Sequence, residues 1–247
     1  MLLHGLLFPR THHYRLADAL AARGNRVILM DLLGHGESDK PTHLRHYTME
    51  IFGRQVIGLL DHLDIPEAVV GGTSLGANVS LEATNHAPDR VRAMCLEMPV
   101  LERAAPAAAL LFIPLTVLYA EAAPAVHAFS SIMRRMPRGL SLYSDVMLEL
   151  LSRDPEPSAA ILHGLLTGRL APHHDDRQKM EQDTLIIAHQ NLMRGAPDVL
   201  HPFSDAEALH RELPNSELVQ AKSFFELRFA PNRLSDRIAD FLDEVWT

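Results

Sequence analysis

A mostly parallel α/β sheet with helices on both faces and an inserted helical region is the fold class this sequence predicts. Short apolar runs alternate with amphipathic segments early in the chain. The pattern gives way to strandless Ala, Leu, Met and Pro over 98–183, and it resumes at 184. Alternation of this kind is the mark of strands that cross over through helices. The expected division is a core of 1–97 and 184–247 with a helical lid or cap over 98–183. At 247 residues, one large domain with an insert suits the length, and 47% hydrophobic against 22% charged residues excludes a disordered or collagen-like chain.

The elements follow in order. A truncated apolar run precedes His4-Gly5-Leu6, and Thr11 to Arg23 carries Leu16, Ala19 and Leu20 at helical spacing with Gly24 as C-cap. Arg26 to Asp31 reads as a strand. Val56, Ile57, Leu60 and Leu63 repeat at three and four, Ala68 to Gly71 is a second short strand, Leu75 to Ala87 a helix, and Arg92 to Glu97 a strand. The insert breaks into short helical stretches at Pro114, Pro124, Pro137 and Pro155. Thr184 to Ala188 restores the strand pattern, and Ser204 with Glu207 forms a capping-box signature for a helix through Leu213. Ser216 to Ala221 is the last strand, and Leu234, Ile238, Phe241, Leu242 and Val245 line one face of a terminal helix. No internal repeat or low-complexity linker interrupts this series.

Charge and composition exclude several functions. Lys and Arg number 23 against 31 Asp and Glu, a formal charge of −8 that disfavours nucleic acid or an anionic lipid face as the main partner. The single cysteine, Cys95, rules out an intrachain disulfide and a thiolate zinc site, and its apolar setting reads as a buried, inert thiol. With no signal-peptide pattern at the N-terminus, a reducing cytoplasmic location is expected. Ala104 to Ala120 is uncharged over 17 residues, short of a spanning helix and interrupted by Pro106 and Pro114, so a greasy lid over a pocket is the reading and no transmembrane segment is expected. No cofactor is expected: Asp31 through Gly34-His35-Gly36-Glu37-Ser38 to Pro41 lacks the Lys and Ser/Thr ending of a phosphate loop, and His173-His174-Asp175-Asp176 reads as a solvated polar loop rather than a metal site.

Chemistry concentrates in Gly72-Thr73-Ser74-Leu75-Gly76, a G-x-S-x-G run between an apolar strand and a helix. A sharp strand-to-helix turn crowds both flanks of the serine, so glycine fits there, and the turn lifts the Ser74 hydroxyl to a helix N-terminus. The amide after it, Leu75, can point at a developing oxyanion, and His4-Gly5-Leu6 has the form of a second donor element.

Together these residues resemble the α/β-hydrolase fold superfamily: His4-Gly5 its oxyanion strand end, Asp31 to Ser38 its Gly-x-Gly-x-Ser turn, Gly72 to Gly76 its nucleophile elbow, and Asp198-Val199-Leu200-His201-Pro202 its acid loop. The resemblance implies Ser74 as nucleophile, the amides of Leu6 and Leu75 as oxyanion hole, and Asp198 as the acid that orients a histidine, with Glu97 as a second candidate acid. It also sets three departures. No histidine follows His210, and counting back from Pro231 puts the family's base near Phe224, within Ser223-Phe224-Phe225-Glu226-Leu227-Arg228. Glu226 is a candidate substitute base, although an ion pair between Glu226 and Arg228 is the favoured reading; His201 and His35 lie on the active-site side but match no family position. Asn191 to Pro197 are extra residues before Asp198. The family's first two strands are absent, so the Arg26 to Asp31 strand becomes an edge, expected from a shortened chain, a misplaced start, or a partner or dimer covering it.

The function implied is a serine hydrolase acting on an ester or related acyl bond of a small apolar substrate, lid residues such as Leu110, Phe112 and Leu115 pointing to an apolar pocket. The alternative is a catalytically impaired or non-catalytic descendant that binds a hydrophobic ligand or a protein partner, with an acyltransferase or lyase as a weaker option. Serine at the elbow argues against the carboxylate nucleophile of dehalogenases and epoxide hydrolases.

Overall fold

In the computed structural model, residues 1–193, 196–224, 226–229 and 232–247 are described; Arg194 and Gly195 of the acid-loop insertion, Phe225, and Pro231 lie outside the described residues. The strands are β1 (Leu2–Leu3), β2 (Leu29–Met30), β3 (Ala68–Thr73), β4 (Val91–Glu97), β5 (Asp183–His189), a small ribbon of β6 (Asn191–Met193) and β7 (Ala196–Pro197), and β8 (Ser216–Ala221). Six of them form one parallel sheet in the order β2-β1-β3-β4-β5-β8, while β6 and β7 pair antiparallel outside it. Arg26 to Asp31 pairs over Leu29 and Met30 alone, because its sole neighbour β1 offers just two residues. It lies at the sheet edge, as expected.

The helices are α1 (Tyr14–Ala22), α2 (Met49–His62), α3 (Leu75–His86), α4 (Ala105–Glu121), α5 (Ala123–Arg135), α6 (Leu142–Leu151), α7 (Pro155–Thr167), α8 (His174–Arg177), α9 (Phe203–Glu212), α10 (Glu226–Phe229) and α11 (Asn232–Trp246). Side chains alternate across each strand, so both faces of the sheet need covering. Val69, Cys95, Leu185 and Ile187 pack with Leu16 and Leu20 of α1 and Leu234, Ile238 and Phe241 of α11. Their neighbours Val70, Met94, Leu96 and Ile186 pack instead with Phe52 and Val56 of α2, Val79 and Leu81 of α3 and Leu209 of α9.

Helices α4 to α7 all fall between β4 and β5. Pro114 does not end α4 as its sequence position suggested. The break falls at Ala122, where α5 departs at 94° with Pro124 in its first turn. Among the described residues no single helix is long and apolar enough to cross a membrane. The expected capping box at Ser204 also does not form: α9 starts at Phe203 behind Pro202, two residues before a Ser204 cap would start it, and no side chain caps it. The buried carboxylate of Asp205 is directed to the amides of Leu101 and Ala104.

From β1 the chain moves outward to β2, whereas from β3 it steps the other way through β4 and β5. The C-terminal ends of β1 and β3 therefore flank the point where the winding reverses, which is where open parallel sheets leave a crevice.

Candidate active site

Ser74 joins β3 to α3 with φ 54° and ψ −110°, a conformation that a non-glycine residue holds only where its surroundings over-determine it. Its N–H donates to the Glu97 carbonyl at 2.8 Å, and its own carbonyl accepts from the Asn78 amide at 3.1 Å. The flanking glycines have a steric cause. A Cβ on either Gly72 or Gly76 would run into the Leu3 carbonyl of the neighbouring strand, so β1 approaches the elbow more closely than any side chain allows. Gly76→Ala is expected to cost about 1–3 kcal/mol through forced backbone displacement, read as a lower urea midpoint at unchanged slope.

The Ser74 hydroxyl is in contact with a histidine. His201 Nε2 lies 2.9 Å from Ser74 Oγ, and His201 Nδ1 lies 3.0 Å from Asp198 Oδ2. An ionised carboxylate only accepts, so Nδ1 carries the proton and Nε2 presents its lone pair to the serine hydroxyl. The arrangement is local in origin. Asp198 Oδ1 accepts the amides of Leu200 and His201, each at 3.0 Å, and this side-chain-to-backbone turn brings acid and histidine to the same side three residues apart. Pro202 then leads directly into α9.

A second histidine serves the same carboxylate. His189, buried at the end of β5, donates from Nε2 to Asp198 Oδ2 at 2.9 Å. Burial alone would push the Asp198 carboxyl up; the hydrogen bonds from His189 and His201, His201's charge and the His201 amide outweigh it and hold the acid far below the usual carboxylate range.

Two buried histidines shape the opposite wall. The chain turns sharply after β1, with the Phe8 amide donating to the Gly5 carbonyl at 3.1 Å and Leu7 at φ 63°. His35 Nε2 accepts the Leu7 amide at 3.1 Å while its Nδ1 donates to the Leu33 carbonyl at 3.0 Å; His4 Nε2 accepts the Leu32 amide at 2.9 Å. Burial, with His4 and the Arg153 guanidinium close by, lowers His35 well below the ordinary imidazole range and so leaves it able to accept. This fixes the loop around Leu6, which shares one cavity with Ser74, Leu75, Asp198 and His201. Leu75 is the first residue of α3, where main-chain N–H groups have no partner within the helix.

A family model described as the alpha/beta hydrolase fold matches residues 1–156. The chain belongs to that family. The uncharacterised protein Rv2715 of Mycobacterium tuberculosis is 27% identical over 264 residues, spanning 98% of this chain and 74% of its own length. The uncharacterised hydrolase YugF of Bacillus subtilis is 27% identical over 231 residues, 87% of this chain and 80% of YugF. Among solved structures, a thermophilic esterase from Thermogutta terrifontis superposes with a TM-score of 0.74 at 23% identity, covering 100% of this chain and 89% of the esterase, a likeness of fold.

Within this family fold, the expected base position is filled by other side chains. The Phe224 ring meets His189 edge-on with centroids 5.8 Å apart and lies 4.8 Å beneath the Arg228 guanidinium. The expected Glu226–Arg228 ion pair does not form. Residues two apart on one helical turn do not face each other; Glu226 reaches Arg233 at 2.8 Å, and Arg228 reaches Glu97, one contact being 2.8 Å. Glu97 also accepts from the Thr73 hydroxyl, next to Ser74. Burial would raise the Glu97 carboxyl, but Arg228's charge and hydrogen bonds, with that of Thr73, hold it down. The Glu97 carboxylate thus braces the elbow from beneath through Thr73 and Arg228, away from His201 and the Ser74 hydroxyl. Glu97→Gln, which leaves the Arg228 charge underpaired in a buried setting, is expected to cost about 3–5 kcal/mol in denaturant unfolding. The double variant Glu97→Leu/Arg228→Met should recover much of it.

The remaining candidates are occupied elsewhere. His35 has both ring nitrogens engaged by backbone. Cys95 is buried in β4, and burial pushes its thiol up to about 12. His174 bonds Glu212 at 2.9 Å, and among the described residues no group of three or more His, Cys, Asp or Glu side chains gathers to hold a metal ion. The cavity over Ser74 has a volume of about 1020 Å³ and is walled by α4 to α7 through residues such as Phe112, Leu115, Val146 and Leu162.

Proposed function

We propose that this protein is a serine hydrolase acting on an ester or related acyl bond of an apolar small molecule. The observation that carries this reading is the continuous line Ser74 Oγ, His201 Nε2, His201 Nδ1 and Asp198 Oδ2, with contacts of 2.9 and 3.0 Å. In this reading His201 takes the proton from Ser74 as its oxygen attacks the acyl carbon, and returns it to the leaving alkoxide. Asp198 holds the imidazole in the needed tautomer and stabilises the cation that forms. The amides of Leu6 and Leu75 receive the oxyanion, and water attacks the acyl-enzyme by the same steps in reverse order of groups. Helices α4 to α7 act as the lid over 98–183, closing a cavity whose walls match an acyl chain or ring system in polarity and, at about 1020 Å³, reach the upper end of ordinary ligand sites.

An alkyl fluorophosphonate and a chromogenic ester test this directly. Labelling at Ser74 and saturable turnover, both lost in Ser74→Ala, are the expected results. Folded protein that neither labels nor turns over any of a series of acyl chain lengths would overturn the proposal.

A further inference from the structure

Helix α4 has no charged residue until Glu121 at its last position, and its apolar residues fall on every side. Such a helix is normally enclosed by protein or lipid. Here Leu110, Ile113 and Val117, spaced three and four apart on one stripe, are exposed by 79, 53 and 53%. The exposed apolar surface runs into the cavity: Leu111, Leu118 and Phe129 are each about half exposed and also line it. Beside this surface the charge reverses sign. From 104 to 140 the chain carries Arg134, Arg135 and Arg138 against Glu121 alone; Arg134 is taken up by Asp154 at 3.1 Å, which leaves Arg135 and Arg138 against Glu121 in a protein of −8. Arg135, Arg138 and Leu140 are all exposed.

We infer that the outer face of α4, with the arginines that close α5, docks on an anionic lipid surface, and that the cavity mouth opens onto that surface. An apolar stripe without polar interruption suits insertion among acyl chains, and the flanking guanidinium groups suit lipid phosphates. A second copy of the chain is the poorer occupant. The same face of a second copy would offer those guanidinium groups Glu121 as the sole carboxylate of 104–140. The contrast with the whole-chain charge is one of distribution: the acidic excess lies elsewhere, and the apolar stripe carries the contact. Docking requires no catalytic activity, so it stands or falls apart from the hydrolase reading.

Flotation of the full chain with vesicles tests it, using phosphatidylcholine alone and phosphatidylcholine mixed with phosphatidylglycerol. The wild-type protein should rise with the anionic vesicles, less with the neutral ones, and less in high salt. Leu110→Asp/Ile113→Asp should abolish flotation. Arg135→Glu/Arg138→Glu, which leaves the apolar stripe intact, should weaken it by more than about 25-fold, at about fivefold per arginine near such a surface. Thermal melts matching the wild type confirm that both variants fold. Wild-type protein that stays at the bottom of the gradient, or aspartate variants that float as before, would overturn the inference. So would a dimer in sedimentation that the aspartate variant converts to monomer without any vesicle binding, which makes the face a subunit interface.

Discussion

His201→Ala is expected to lower kcat for ester turnover by about 10⁴- to 10⁶-fold, as much as Ser74→Ala, and the double variant should lose no more than either alone. Non-additivity is the informative part. If His201 works only by taking and returning the Ser74 proton across the 2.9 Å contact, removing either partner removes the same step. Asp198→Asn should cost about 10⁴-fold, because an amide in place of the carboxylate can donate to Nδ1 and so favour the wrong tautomer. The Asp198 position is further bound by His189 and two amides, so this variant also unsettles the turn that carries His201. Glu226→Gln should leave kcat unchanged, since that carboxylate is engaged by Arg233 and the Lys222 amide. Stopped assays of the five variants with one chromogenic ester decide the matter. A His201→Ala enzyme within tenfold of wild type, or an inactive Glu226→Gln, would return the base to the loop after β8.

What the amino-acid order reveals depends on how far apart the interacting residues lie. The elbow is legible because its constraint is local in pattern: Gly72 and Gly76 flank Ser74, and the steric need for both comes from one neighbouring strand. The last strand is legible over Ser216–Ala221, where the apolar pair Leu218-Val219 sits between polar residues. The proposed base, His201, is harder to read, because the family position points to Phe224 while the Asp198-x-x-His201 spacing is short and common. Its signal was nevertheless present. An aspartate that caps its own turn brings a residue three positions on to the same side, and Pro202 ends that turn at the start of a helix. The pairing of Arg228 with Glu97 across 131 residues has no such local signal. Proximity in sequence suggested Glu226 instead, and the geometry of a single helical turn separates the two.

Acid should destabilise the protein in a specific window, from pH 6.5 down to about 4, before most of its carboxylates titrate. Burial brings His4 down to about 4, against smaller raising effects from its contact with the Gly5 carbonyl and from Asp31. Burial likewise brings His13 to about 4, with Glu97 raising it and Arg228 lowering it. Both are neutral when folded at pH 7 and ordinary imidazoles when unfolded. Between 6.5 and 4 the unfolded chain therefore binds protons that the native state refuses, and stability falls as pH falls. The full loss approaches about 3 kcal/mol for each group, or about 6 kcal/mol for the two, comparable to the entire stability of many domains. The two sites differ in what protonation breaks. His4 Nε2 must accept the Leu32 amide, so a proton there removes a hydrogen bond beside the loop around Leu6; His13 Nε2 donates to the Leu3 carbonyl at 3.0 Å, so its cost is the buried charge alone. Urea unfolding from pH 7.5 to 4.5 should show a midpoint that drops steadily below 6.5. His13→Gln, which keeps a donor for Leu3 and removes one titration, should make that slope shallower by about a quarter, since burial lowers His12 and His35 as well as His4. A wild-type midpoint that stays level across the window would mean that these imidazoles already accept protons in the folded state, and the rigid wall they give the cavity would have to be held by something else.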